Sequence, residues 1–202
     1  KMLYNQAISQ VIGWTWVRMW YKMDHMIVLT DDAIKYYHEL LPGKPITRIY
    51  NGKNIVAGPS LILPEHKFLA EELRKKYAYV IGICAALITR KRIDILIRHL
   101  SRVEKGGLMI LGEGPELKNL EAQVGKHSLQ DRVKFLGYIR QAHQYNVLFD
   151  MSAFPSMSEG FSLSLIEAAF YQKKIVCSDI PSFREAFTDR EVTFFDSENE
   201  LT

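Results

Sequence analysis

The chain has 202 residues, 48% hydrophobic and 24% charged, with a net charge of +3. That is an ordinary globular composition, long enough for one large domain or for one domain and part of another. It contains no run of about eighteen apolar residues, so no spanning helix is expected, and Lys1-Met2-Leu3-Tyr4 does not have the form of a secretory leader.

Cys84 and Cys177 both lie in apolar, strand-like runs and read as reduced core thiols of a cytoplasmic protein. The six histidines, at positions 25, 38, 66, 99, 127 and 143, show no metal-ligand spacing, and no zinc site is expected. The basic runs Arg74-Lys75-Lys76 and Arg90-Lys91-Arg92 are isolated and lack interleaved aromatics, so nucleic acid is not an expected partner.

In chain order, residues 4–23 have a helical pattern rich in large rings: Trp14, Trp16, Trp20 and Tyr21. At 100° per residue Trp16 and Trp20 share a face with Met19 and Met23. Two readings stay open: a helix packed on a core, or an interfacial helix whose Arg18 and Lys22 suit a headgroup zone. Met26-Ile27-Val28-Leu29 is a strand, and Thr30-Asp31-Asp32-Ala33 opens a helix with an N-cap and an acidic first turn. The aspartate pair reads as capping, not as a metal site. Gly43-Lys44-Pro45-Ile46-Thr47 lacks phosphate-loop spacing. A strand at 47–50 and a turn at Asn51-Gly52 follow, then a linker at 53–66 holding Gly58, Pro59 and Pro64.

From Pro64 the pattern alternates. Helices are expected at 65–76, 92–104, 115–125, 140–148 and 162–171, with a helical turn from 182. Strands are expected at 79–86, 108–111, 133–136, 151–154 and 174–177. Such alternation predicts an α/β fold, a parallel sheet covered by helices on both faces. Ligands of such sheets bind outside the carboxyl ends of the strands. The 87–91 loop, Gly112-Glu113-Gly114 and Ser158-Glu159-Gly160 all fall there.

The most telling segment is Ser158-Glu159-Gly160-Phe161-Ser162-Leu163-Ser164-Leu165-Ile166-Glu167. A strand, a polar loop with glycine and a helix in succession leave backbone N–H groups of Gly160, Phe161 and Ser162 near a helix N-terminus, which attracts phosphate. Two carboxylates beside a phosphate site would repel the ligand unless they accept hydrogen bonds from something else. The vicinal hydroxyls of sugars meet that need, and a nucleotide sugar meets all of it.

This segment resembles the Glu-x7-Glu signature of the retaining glycosyltransferases of family 4. The likeness extends to Ile110-Leu111-Gly112-Glu113-Gly114-Pro115, Val133-Lys134-Phe135-Leu136-Gly137, Ser178-Asp179-Ile180-Pro181-Ser182-Phe183-Arg184-Glu185 and, upstream, Ile49-Tyr50-Asn51-Gly52. It spans residues 24–195. The resemblance implies the GT-B fold of two facing Rossmann-like domains. Residues 1–62 would then be a remnant of the N-terminal acceptor domain with the linker. Residues 63–202 would be the donor-binding, C-terminal half of that fold, cut short at its own end. The family's proteins are roughly twice this length, so a fragment is expected, with an apolar edge open to self-association.

The resemblance also implies a reaction. A sugar passes from a nucleotide-diphosphate donor, UDP- or GDP-linked, to a glycan or lipid-linked acceptor of cell-surface polysaccharide or glycolipid synthesis. The anomeric configuration is retained, and neither metal nor cofactor is required. Glu159 would hold the transferred sugar near its reacting carbon, and Lys91 the donor diphosphate. Glu167 would accept hydrogen bonds from the ribose. The backbone at Ile139 would receive the base, with Arg140 nearby. Gly112, Gly114 and Gly160 would allow close backbone approach, while Phe161, Ser162 and Leu163 offer N–H groups to phosphate. The family's arginine position holds Ala86 and its glycine position Ala85, and no histidine here matches the family's acceptor-domain histidine. These departures keep open a nucleotide-sugar-binding module without turnover. An epimerase of similar fold fits the glutamate spacing poorly. Without the resemblance, Glu159 reads as a helix cap, Glu167 as a surface residue and Gly112 to Pro115 as a tight turn. A cytoplasmic location is the corresponding expectation, with the inner face of the membrane as an alternative within it.

Overall fold

The computed structural model describes residues 6–55 and 61–196. Gly58 and Pro59 of the expected linker lie outside them. The chain divides into two packing units, Lys1–Gly52 and Lys53–Thr202.

In the first unit, α1 (Gln6–Tyr21) precedes β1 (Met26–Val28), α2 (Asp31–Leu40) and β2 (Ile46–Arg48), and the two strands pair in parallel. The Thr30 hydroxyl caps α2, accepting from the Ala33 N–H at 3.2 Å, and Asp31 and Asp32 occupy the electropositive first turn. Trp20 meets the edge of Tyr37 at 5.4 Å between ring centroids, which anchors α1 on α2. Trp14 and Trp16 are exposed, with the Arg18 guanidinium 5.2 Å above the Trp14 ring. No helix among the described residues is long and apolar enough to cross a membrane.

The second unit begins its regular structure with α3 (Pro64–Lys76) and β3 (Tyr79–Cys84). It continues through α4 (Ile93–Leu100), β4 (Gly106–Leu111), α5 (Leu117–Lys126), β5 (Val133–Phe135) and β6 (Met151–Phe154). The remaining elements are α6 (Leu163–Phe170), β7 (Lys174–Ser178), α7 (Pro181–Ala186) and β8 (Thr193–Phe195). All six strands are parallel, in the order β5-β4-β3-β6-β7-β8. This is the expected α/β, Rossmann-like sheet.

The strands are apolar on both faces because both are covered. Ile81, Ile83, Leu108 and Ile110 face Ile93, Leu96, Ile97 and Leu100 of α4 and Leu120 and Val124 of α5. The alternate residues Val80, Met109 and Leu111 face Ala70 and Leu73 of α3 and the rings of Tyr145 and Phe149. Beyond β6, Phe154, Ile175 and Cys177 pack with Leu165, Ala168 and Phe183. Strand order reverses between β3 and β6, which share only the pairs Ile81↔Met151 and Gly82↔Ser152. Gly82 faces Phe149 so closely that a Cβ there would lie 1.9 Å from the ring.

Beyond shifts of one or two residues, three features depart from the expected pattern. The helix expected at 92–104 ends at Leu100, because the Arg132 guanidinium donates to the carbonyls of Leu100, Val103 and Gly106 at 2.7–2.9 Å. The segment expected as a helix at 140–148 is a 3-10 helix, Ala142–Leu148. There Asn146 donates to the His143 carbonyl and accepts from the Ser152 hydroxyl, contacts that compete with α-helical pairing. The edge strand β8 goes beyond the expected strands; it is three residues long and too short to show a period.

Candidate functional site

Where strand order reverses, the loops after β3 and β6 diverge and leave a crevice at the carboxyl end of the sheet. A cavity of about 370 Å³ opens there. Its wall includes Ala85 and Ala86 after β3, Gly112 and Glu113 after β4, and Ile139 and Arg140 after β5. Leu163, Ser164 and Glu167 of α6 complete the side that the sequence pointed to. Of the sequence-predicted residues, Gly112, Ile139, Arg140, Leu163 and Glu167 therefore share one cavity. Gly114, Gly160, Phe161 and Ser162 are not part of its wall, and Glu159 and Lys91 form a second cluster on the adjoining loops.

Glu167 is carried inward by α6 and is buried at 6% exposure, which overturns its reading as a surface residue. Its carboxylate pairs with the Lys53 ammonium. Cys84 sits beside it in the cavity wall. Burial, aided by the Glu167 charge, pushes its thiol up to about 12. The Tyr171 hydroxyl, 3.2 Å from His143 Nδ1, is raised by burial and then by Glu167. α6 starts after Ser162, whose side chain makes no capping hydrogen bond, so neither Glu159 nor Ser162 caps it.

Glu159 lies on the loop ahead of α6, with 9% of its side chain exposed. Three donors converge on it: Lys91 Nζ at 2.5 Å and Ser156 Oγ at 2.7 Å reach Oε1, and Arg90 reaches Oε2 at 3.2 Å. Burial opposes its charge. The hydrogen bonds from Lys91 and Ser156, with the charges of Lys91 and Arg90, outweigh that and hold its carboxyl below the ordinary 4.5. Arg90 also donates to the Ser158 carbonyl at 2.5 Å, while its own carbonyl accepts from the Met157 N–H. The 3-10 turn Thr89–Lys91 is thus stitched to the glutamate loop.

The glycines after β4 serve the fold first. Gly112 has φ +136°, and a Cβ on it would come 1.9 Å from the Ala85 carbonyl oxygen; one on Gly114 would come 2.3 Å from that of Leu87. The close backbone approach seen is to the chain's own β3 loop, locked by Leu87 N–H to Glu113 O at 2.9 Å and Glu116 N–H to Leu87 O at 3.0 Å. The Glu113 carboxylate turns back to the Tyr138 N–H at 3.4 Å.

Lys53, Cys84, Glu113, Tyr138, Ala142 and His143 also line the cavity, and sequence reasoning did not select them. Glu113 could have been found from its place inside Gly112-Glu113-Gly114. Lys53 had no local signal, being 114 positions from its partner. Among the described residues, no three His, Cys, Asp or Glu side chains are grouped as a metal ion would need. Chemically, the arrangement offers one buried acceptor inside a cavity, a second fixed among cations beside it, and backbone N–H groups at a helix start.

The family described as Glycosyl transferases group 1 matches residues 65–200. The O-antigen biosynthesis glycosyltransferase WclY of Escherichia coli is 30% identical over 191 residues, covering 95% of this chain and 53% of that protein. A Campylobacter jejuni protein is 32% identical over 136 residues, covering 65% of this chain and 37% of its own. It is named N-acetylgalactosamine-N,N'-diacetylbacillosaminyl-diphospho-undecaprenol 4-alpha-N-acetylgalactosaminyltransferase. Among solved structures, Anabaena Alr3699/HepE in complex with UDP and glucose superimposes with a TM-score of 0.77 at 19% identity, covering all of this chain and 58% of that one. The chain thus spans about half the length of WclY.

Proposed function

The chain belongs to the Glycosyl transferases group 1 family, and we propose that it is the donor-binding part of a retaining, family 4 transferase that moves a sugar from a nucleoside-diphosphate donor to a glycan or lipid-linked acceptor. The observation that carries this reading is the pair of glutamates spaced eight apart, one buried in the cavity wall and one held by Lys91 beside it.

In this scheme the nucleoside lies in the cavity, its base against the backbone of Ile139 and its ribose hydroxyls donating to Glu167. The start of α6, without a side-chain cap, faces the diphosphate. Lys91 stabilises charge growing on the leaving phosphate. Glu159, kept ionised by its three donors, accepts hydrogen bonds from the sugar being transferred and fixes its reacting carbon. The bond from that carbon to the phosphate oxygen breaks as the acceptor oxygen attacks the same face, and the leaving phosphate takes the acceptor's proton. The names of WclY and of the Campylobacter protein support assignment to surface-glycan assembly. Exposed Trp14 and Trp16 with Arg18 on α1 support peripheral contact at the inner membrane face.

A second reading, binding without turnover, is favoured by one observation: Ala85 and Ala86 give the β3 side of the cavity wall methyl groups and no charge. Calorimetric titration with UDP and with GDP tests the main proposal. Saturable binding of one nucleotide, weakened by Glu167→Ala, is expected and names the base; no binding of either at millimolar concentration would overturn it. Transfer from the matching sugar nucleotide then separates the two readings.

A further inference from the structure

The charges of the cavity need one more residue than the glutamates and Lys91 supply. Lys91 and Arg90 are both engaged with Glu159, and neither lines the cavity. The wall after β3 is methyl. Glu113 and Glu167 line the cavity together with two basic residues, Lys53 and Arg140. With Lys53 removed, two carboxylates would oppose Arg140 alone, a surrounding hostile to a polyanion.

We propose that Lys53 is a donor-binding residue, whose ammonium bridges the Glu167 carboxylate and the diphosphate of the bound nucleotide. The proposal rests on the donor-site reading above. Burial supports it: the Glu167 side chain, carried by α6, is 8% exposed, whereas that of Lys53 is 41% exposed, so Lys53 is the more accessible partner to an arriving ligand. Valence supports it too. An ammonium has three N–H donors, and holding Glu167 Oε1 uses one of them. A carboxylate has about four acceptor positions, so ribose hydroxyls and Lys53 can share Glu167. The flexible four-carbon stem lets the charge follow the phosphate without displacing α6. Lys53 thereby links the segment following Asn51-Gly52 to donor occupancy.

The test is calorimetry on the full 202-residue chain with two pairs of probes, UDP against uridine and GDP against guanosine. For whichever pair the wild type binds, Lys53→Gln should weaken the nucleoside diphosphate by about tenfold or more, as loss of a charged hydrogen bond does, and should not weaken the nucleoside. Lys53→Arg should restore diphosphate binding to within a few-fold of wild type. Unchanged or tighter diphosphate binding by Lys53→Gln, or parallel loss of diphosphate and nucleoside, overturns the proposal while leaving the donor site standing. A wild type that binds neither nucleotide overturns the donor site and the role of Lys53 with it.

Discussion

Glu159 and Glu167 sit on one loop-and-helix segment, yet they are held by opposite means. Glu159 belongs to a loop with little regular structure and is fixed by Lys91, Arg90 and Ser156. Glu167 belongs to α6, a helix that Leu165 and Ala168 anchor in the core, and its partner Lys53 reaches in from far along the chain. A carboxylate positioned by neighbours is sensitive to their charges; one positioned by a helix is sensitive to the helix. Substitutions at the two should therefore fail differently.

The largest expected effect is at Glu159. Glu159→Ala should lower sugar transfer on the order of 100-fold, the scale for a group that stabilises the transition state, while nucleotide affinity changes little. Transfer kinetics beside calorimetry check it, and an equal loss of affinity would erase the distinction. Glu167→Ala should do the reverse, weakening nucleotide binding about tenfold through loss of a hydrogen-bond acceptor.

Acid should separate them next. The Glu159 carboxyl is held below 4.5 in the folded chain, so its contribution to stability is complete above that value and fades as pH falls through the lowered one. Urea denaturation from pH 6 to pH 3 should show a shallower acid decline in Glu159→Gln than in wild type. The smallest effect concerns Cys84. With its thiol near 12, alkylation at pH 8 should be far slower than that of a free thiol. Glu167→Ala should quicken it only slightly, since burial is the larger cause; a large acceleration would show that the charge dominates.

Much of this was legible in the sequence because it is periodic or local. The alternation of strands and helices after Pro64, the Thr30 cap and the place of each loop at the sheet's carboxyl end all came from spacing. What escaped depends on distant partners. No local pattern reports that Arg132 would end α4 or that Asn146 would tighten the segment before β6. The glutamate pair could be read; the identity of its counter-ions could not, because Lys53 and Lys91 meet their carboxylates only through folding. The glycines after β4 were found by motif, but the Ala85 and Leu87 carbonyls pressing on them were not.

Gly82 does not line the cavity, and the space its missing side chain would take is filled by the Phe149 ring. Phe149 directly follows the 3-10 helix whose first residues, Ala142 and His143, form part of the cavity wall. The position of that wall is thus gauged from the middle of the sheet. A single methyl added at residue 82 would move the ring, and the ring would carry the wall with it. If the cavity holds a nucleotide as proposed, a drift in its affinity can in this way begin outside the cavity.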